Sequence, residues 1–243
     1  MIPHPSSFLL TDLSSVQVEA HLQRDSRLIV PVGCLDQFGP HLPLGAATCI
    51  VEAFAMRLSS DFEVLRAPCI NYGVTLPAER HFAGAASLGE KTLHRTMNDL
   101  LSSWEDCGFT EFILLTAHRY DPHVEAIATV SATSKARVRV LEMLALDLSA
   151  IVHGKPFPTH GGEVMTSLML HLRPDLVNKD LIEDFFPYGP GRSAPHRLMK
   201  LPPASSGVLG FPSLANEETG RLIFDYVLDK IRARVFISPD NSE

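Results

Sequence analysis

The chain has 243 residues, 45% of them hydrophobic, and a formal net charge of −7 at pH 7. That length suffices for one well-filled core, and an acidic balance without a block of like charge argues against a nucleic-acid partner. No apolar run approaches the roughly 20 residues of a membrane span, so a membrane partner is not expected either.

The opening "MIPHPSSFLL" has no basic lead and no long apolar stretch, so it does not read as a signal peptide. Cys34, Cys49, Cys69 and Cys107 lack CxxC spacing, which suggests neither a thiolate zinc site nor a disulfide framework. The expected setting is a soluble, reducing cytoplasm. A single domain spanning residues 1–243 is expected, with loose termini at 1–8 and 237–243.

"LTDLSSVQVEAHLQRD" (10–25) opens with Thr and Asp and reads as an amphipathic helix. "RLIVPV" (27–32) is a continuous apolar run, the mark of a strand buried on both faces. A helix over 48–61 and a strand over 62–68 follow. The long helix over 87–108 ends at Gly108, as a C-cap should. "EFILLTA" (111–117) is a third strand, 122–136 a helix and 137–144 a fourth strand. "GGEVMTSLMLHLRP" (161–174) is helical until Pro174 stops it. A Pro/Gly-rich stretch from Phe186 to Pro212, long enough for a functional loop, precedes a last helix over 216–236. No internal repeat is visible. Strands alternating with helices predict a three-layer α/β/α domain with a mostly parallel sheet.

In such folds ligands sit beyond the carboxyl ends of the strands. Three polar loops fall there: Cys34–Thr48, His118–His123 and Thr159–Glu163. Read together, they resemble the creatininase (creatinine amidohydrolase) family. "PVGCLDQFGPHLPLGAA" (31–47) is similar to the family's PVGSxEQHGPHLPLxTD, and "HFAGAAS" (81–87) to HFPGTxS. "ILLTAHRYD" (113–121) resembles its strand followed by NGHxxN. "HGGEVMTSLMLHLRPDLV" (160–177) and "SSGVLGFPSLANEETG" (205–220) resemble its HxGExETSxML…PxLV and GVxGDPxxATxEKG segments.

The resemblance implies a creatininase-like fold and a pocket that once held two divalent metals. Carried over position by position, the ligand Glu becomes Asp36, the ligand His becomes Phe38 and the bridging Asp becomes Ala47. The NGH histidine remains as His118, and the late Glu becomes Tyr120. A dinuclear centre is therefore not expected, and no cofactor is assigned. A single Zn²⁺ or Mn²⁺ stays open, with Asp36 and His118 joined by Asp121, His123, His160 or Glu163.

The expected catalytic group is His118, His160, Glu163 and Asp36, acting by proton transfer. Cys34, Phe38, His81 and Tyr120 are the expected substrate contacts. Against these stand plainer readings: His118 a buried, hydrogen-bonded histidine, Asp36 a turn-former and Cys34 a small core residue. Likewise, Thr159 and Glu163 would merely form the start of a helix, and His41 would brace its loop. Arg192 and Arg197 fall in the Pro/Gly-rich stretch and could close over a ligand. The expected function is an enzyme acting on an amide or cyclic-amide C–N bond of a small molecule. A catalytically silent ligand-binding or hetero-oligomer scaffold is the first alternative, and a mononuclear metal-dependent amidohydrolase the second. A homo-oligomer, often a hexamer in the family, is implied by the resemblance.

Overall fold

The computed structural model describes residues 7–77, 81–132, 134–154, 160–187 and 205–237. In chain order the elements are α1 (Ser15–Leu22), β1 (Arg27–Val32), α2 (Ala46–Phe62), β2 (Leu65–Arg66) and α3 (Glu90–Asp106). There follow β3 (Glu111–Thr116), α4 (Asp121–Ala128), β4 (Arg137–Glu142), α5 (Glu163–Leu172) and α6 (Glu217–Ile231). The strands form a sheet of order β2-β1-β3-β4 in which every pairing is parallel.

Side-chain alternation sorts the helices into two layers. Leu28, Val30 and Val32 of β1, with Phe112 and Leu114 of β3, pack on α3 and α4, with Val18 and Leu22 of α1 at the margin. Ile29, Ile113 and Leu115 point the other way into a core built with α2, α5 and α6. A strand with both faces covered needs apolar residues at every position, which is why β1 and β3 read as unbroken hydrophobic runs. At the sheet edge β4 is half-exposed and carries Arg137 and Arg139 in that apolar frame. The Arg139 guanidinium pairs with Glu111 on β3 at 2.6 Å.

Several boundaries differ from the sequence expectation. The first helix is divided: Leu10–Asp12 is a 3-10 turn, and α1 starts only after Ser14, whose N–H donates to Gln17 Oε1 at 2.9 Å. That local bond starts a new helix instead of continuing the first turn. The strand expected over 62–68 shrinks to two residues, because Phe62 completes α2 and Glu63 caps it at φ 54. Pro68 has no N–H to extend the ladder. After α4 the chain tightens into a 3-10 turn over Thr129–Ala132, and α6 passes into a π turn over Arg232–Ile237. Asn216 starts α6, its Oδ1 accepting Thr219 N–H at 2.8 Å. Gly108 takes φ 106 just past α3, as expected of a helix-terminating glycine.

Helices α5 and α6 approach backbone to backbone: a Cβ on Gly220 would lie 1.9 Å from Ser167 O. Among the described residues no helix is long and apolar enough to cross a membrane. Thr159, Arg192, Arg197 and both expected loose termini, apart from residues 7, 8 and 237, lie outside the described residues.

Candidate functional site

The register of the sheet assembles the site. Val32 at the end of β1 is the partner of Thr116 at the end of β3. Two residues further along each strand's exit stand Cys34 and His118, with Asp36 just beyond. All three side chains are buried, and their ligand-type atoms (Cys34 Sγ, an Asp36 carboxylate oxygen, a His118 ring nitrogen) lie within 4.8 Å of one another. The 34–36 segment is fixed on several sides. Thr48 Oγ1 donates to Cys34 O, Ala86 N–H to Leu35 O, and Asp36 N–H to Leu44 O. At Gly33 a Cβ would come 2.2 Å from that same Thr48 hydroxyl, so the strand exit tolerates only glycine there.

Asp36 Oδ1 accepts Gln37 N–H at 2.9 Å, and Oδ2 lies 4.0 Å from His118 Nε2. His118 Nε2–H donates to Val74 O at 3.0 Å. The other side of the same residue is held by His123, whose Nδ1 accepts Val74 N–H at 3.2 Å. With Nδ1 accepting, the proton of a neutral His123 sits on Nε2, which donates to Thr116 Oγ1 at 3.1 Å. His118 N–H reaches the same hydroxyl. Gly73 makes this grip feasible, since a Cβ there would sit 2.6 Å from His123 Nδ1.

His160 arrives from the far end of the chain. An antiparallel bridge to Leu209 positions its backbone, and its Nε2–H donates to Gln37 O at 2.6 Å. Gln37 is itself buried, its side-chain amide bonding Gly39 N–H and Gly207 O. Between the two imidazoles lies Phe38, stacked on His160 with ring centroids 5.0 Å apart and edge-on to His118 at 6.3 Å.

Burial dominates the electrostatics. It pushes the His118 imidazole down to about 4, with neighbouring His160 adding to the effect and the Val74 carbonyl opposing it. His160 is lowered by burial too, against the opposing pull of Asp36 and Gln37 O. His123 falls well below the ordinary value for the same reason, reinforced by His118. At neutral pH the site therefore presents neutral imidazoles beside one carboxyl group.

The expected residues divide clearly. Asp36, His118, Cys34, Phe38 and His160 are brought together. Tyr120 is half-buried at the start of α4, its ring 6.3 Å from that of His118. Glu163 turns both carboxylate oxygens onto backbone, accepting His153 N–H at 2.7 Å and Gly154 N–H at 2.6 Å. His81 is exposed on a turn and makes no contact with this group among the described residues. His41 braces its loop, with Nε2 bonding Thr166 Oγ1 at 2.9 Å. Among the described residues it is Cys34 whose donor atom converges with those of Asp36 and His118, in place of the expected Asp121, His123, His160 or Glu163. Asp121 is exposed, and the polar atoms of His123 and Glu163 are engaged as described.

Gln37, Thr116 and Val74 were missed by sequence reasoning. Gln37 carried a signal, since it lies between two residues already singled out. Val74 carried none, because its backbone is what matters.

The creatinine amidohydrolase (Creatininase) family model matches residues 11–235. A creatinine amidohydrolase of Pseudomonas putida is 26% identical over 250 residues, covering 93% of this chain and 95% of its own. A mycofactocin precursor peptide peptidase of Mycobacterium ulcerans is 28% identical over 228 residues, covering 86% and 84%. A solved structure described as "Creatininase Mn" superposes with a TM-score of 0.76 at 27% identity, covering 93% of this chain and 98% of that one.

Proposed function

The chain belongs to the creatininase family, and from that premise we propose that it acts on an amide C–N bond of a small molecule without a pair of metals. Both curated relatives bear names of C–N bond hydrolases, one for creatinine and one for a precursor peptide. The buried Asp36–His118 pair, 4.0 Å apart at the carboxyl ends of the two central strands, carries this reading.

The residues present do not fit two cations. A bridging carboxylate is what lets two divalent ions sit close together, and Ala47 stands at that position with a fully buried methyl group. Phe38 fills the neighbouring space with a ring packed on both imidazoles. Two dications would have little beyond the single charge of Asp36 to neutralise them, in a site that excludes water.

Within that pocket His160 is the proton carrier. Its Nε2–H is committed to Gln37 O, which leaves Nδ1 with the lone pair that accepts a proton. Phe38 and the Gln37 backbone carbonyl hold the ring in place, as a general base needs. Asp36 and His118 mark the reacting centre, and Cys34 and Tyr120 border it. Glu163 serves by holding the 153–154 backbone, not by moving protons. Among the described residues no cysteine is in a disulfide, which fits the reducing, cytoplasmic setting proposed, and a homo-oligomer is proposed with the family.

The test is a hydrolysis screen over creatinine, small cyclic amides and short peptides, run on the native chain, His160→Gln and Asp36→Asn. Turnover lost in both variants supports the reading. Ligand binding without turnover in the native chain would replace it with a silent scaffold.

A further inference from the structure

The distances around Asp36 have a second consequence, which rests on the reacting centre just described. We propose that Cys34, Asp36 and His118 form a mononuclear zinc site in which a thiolate is the third protein ligand.

Zinc at a working site takes three protein ligands and keeps one position open. Among the described residues this is the group of His, Cys, Asp or Glu side chains whose donor atoms converge within 4.8 Å. Donors 2.0–2.3 Å from a tetrahedral ion stand about 3.3–3.8 Å from one another. The 4.0 Å from Asp36 Oδ2 to His118 Nε2 and the 4.8 Å limit for the whole group therefore need the side chains to close by at most about 1.5 Å.

Charge comes next. A carboxylate and a thiolate together carry the negative charge that matches one dication, so the filled site is neutral. Cys34 and Asp36 are 0% exposed and His118 is 4% exposed, and a buried site of this kind is stable only if its charges cancel. The same set would leave a second cation uncompensated.

Ligand chemistry selects the ion. Sulfur and imidazole suit zinc, whereas manganese prefers carboxylate, carbonyl and water oxygens. Placing Cys34 beside the pair thus shifts the site from manganese towards zinc.

Binding is balanced in protons. The Cys34 thiol releases its proton to solvent as the zinc–sulfur bond forms. Zinc replaces the proton that His118 Nε2 now gives to Val74 O, and that proton is relocated through solvent to Nδ1. When bound, zinc would supply a polarising centre for a water or a carbonyl oxygen.

The experiment loads the full-length protein with Co²⁺ and with Zn²⁺ and compares it with Cys34→Ser and, as a control, Cys107→Ser. Cys107 is exposed and free. Expected results are about one zinc per chain by elemental analysis and a near-ultraviolet sulfur-to-cobalt charge-transfer band. The band disappears in Cys34→Ser and persists in Cys107→Ser. Circular dichroism confirms that each variant is folded. A cobalt complex without the sulfur band, a band that survives Cys34→Ser, or a protein that takes up no metal would each overturn the inference. Amide turnover is scored separately. Zinc bound through Cys34 without amide cleavage keeps this site and removes the proposed function, and cleavage by a zinc-free protein does the reverse.

Discussion

Phe38 and His160 lie stacked, their ring centroids 5.0 Å apart and their planes 24° from parallel. An apolar ring therefore covers one face of the imidazole that is best placed to carry a proton. It excludes water from that face, and burial is the leading cause of the lowered His160 value. Phe38→Ala is expected to raise the His160 pKa towards that of a solvated histidine as water enters. It should also destabilise the protein by about 3–5 kcal/mol, as for other buried aromatics. An NMR titration of His160 and a urea unfolding curve give both numbers; an unmoved titration would show that the ring does not insulate His160.

Stability should fall on mild acidification, with His118 as a main contributor. Its native value of about 4 is below the unfolded value of 6.5. Between those values the unfolded chain binds more protons, so unfolding free energy rises with pH there. The contribution is complete above about pH 6.5, declines as pH falls towards 4 and is then exhausted. Its size is about 3 kcal/mol, and His160 and His123 add with the same sign. Urea unfolding at pH 7 and pH 4.5 measures the loss, and His118→Gln should make the slope between them shallower. A slope unchanged by that substitution would assign the pH dependence to other groups.

The paired grip on Val74 can be tested through His123. His123→Phe keeps most of the volume but removes the acceptor of Val74 N–H and a donor to Thr116 Oγ1. A buried donor left unpaired costs about 1–3 kcal/mol, and that is the expected loss. Hydrogen exchange at the Val74 amide should speed up more than exchange in the β3 strand. Equal acceleration everywhere would mean general destabilisation rather than a local anchor.

Glu163→Gln probes the carboxylate that holds two backbone N–H groups. Glutamine keeps one acceptor oxygen and turns an NH₂ group towards the other donor. We expect faster exchange at His153 and Gly154 and a loss of about 1–3 kcal/mol, the scale of charged hydrogen bonds. If Glu163 moved protons instead, catalysis would collapse while those amides stayed protected.

Gly161 is a steric test of the same region. It takes φ 59, and a Cβ there would lie 2.0 Å from Phe38 O. Gly161→Ala should displace the Phe38 backbone, and with it the His160–Phe38 stack. The measurable signs are a lower melting temperature and a shifted His160 titration. A variant as stable as the parent with an unchanged titration would refute the close approach.

Much of this protein can be read from its residues in order. The apolar runs at 27–32 and 111–117 determine two central strands, and their lack of polar alternation determines that both faces are covered. Gly108 ends α3 and Pro174 follows α5, because their backbones permit little else. Even the neighbourhood of the site followed from order, since parallel strands place their exits side by side. Within those loops it is the resemblance to the creatininase motifs that marks Asp36, Phe38 and His118 without coordinates.

The tertiary structure decided which atoms each of those residues faces. Sequence spacing says nothing about register between strands far apart in the chain, and that register sets Cys34 beside His118. It cannot show that Glu163 spends its carboxylate on the 153–154 backbone, or that His81 stands in solvent. Nor does it reveal that two histidines hold opposite sides of Val74, because a backbone amide carries no side-chain signature. Secondary structure is written in local pattern, where each residue's conformational preference acts on its own neighbours. Partner choice in a buried polar site is a long-range outcome of packing, in which each donor takes the acceptor that the folded chain leaves within reach.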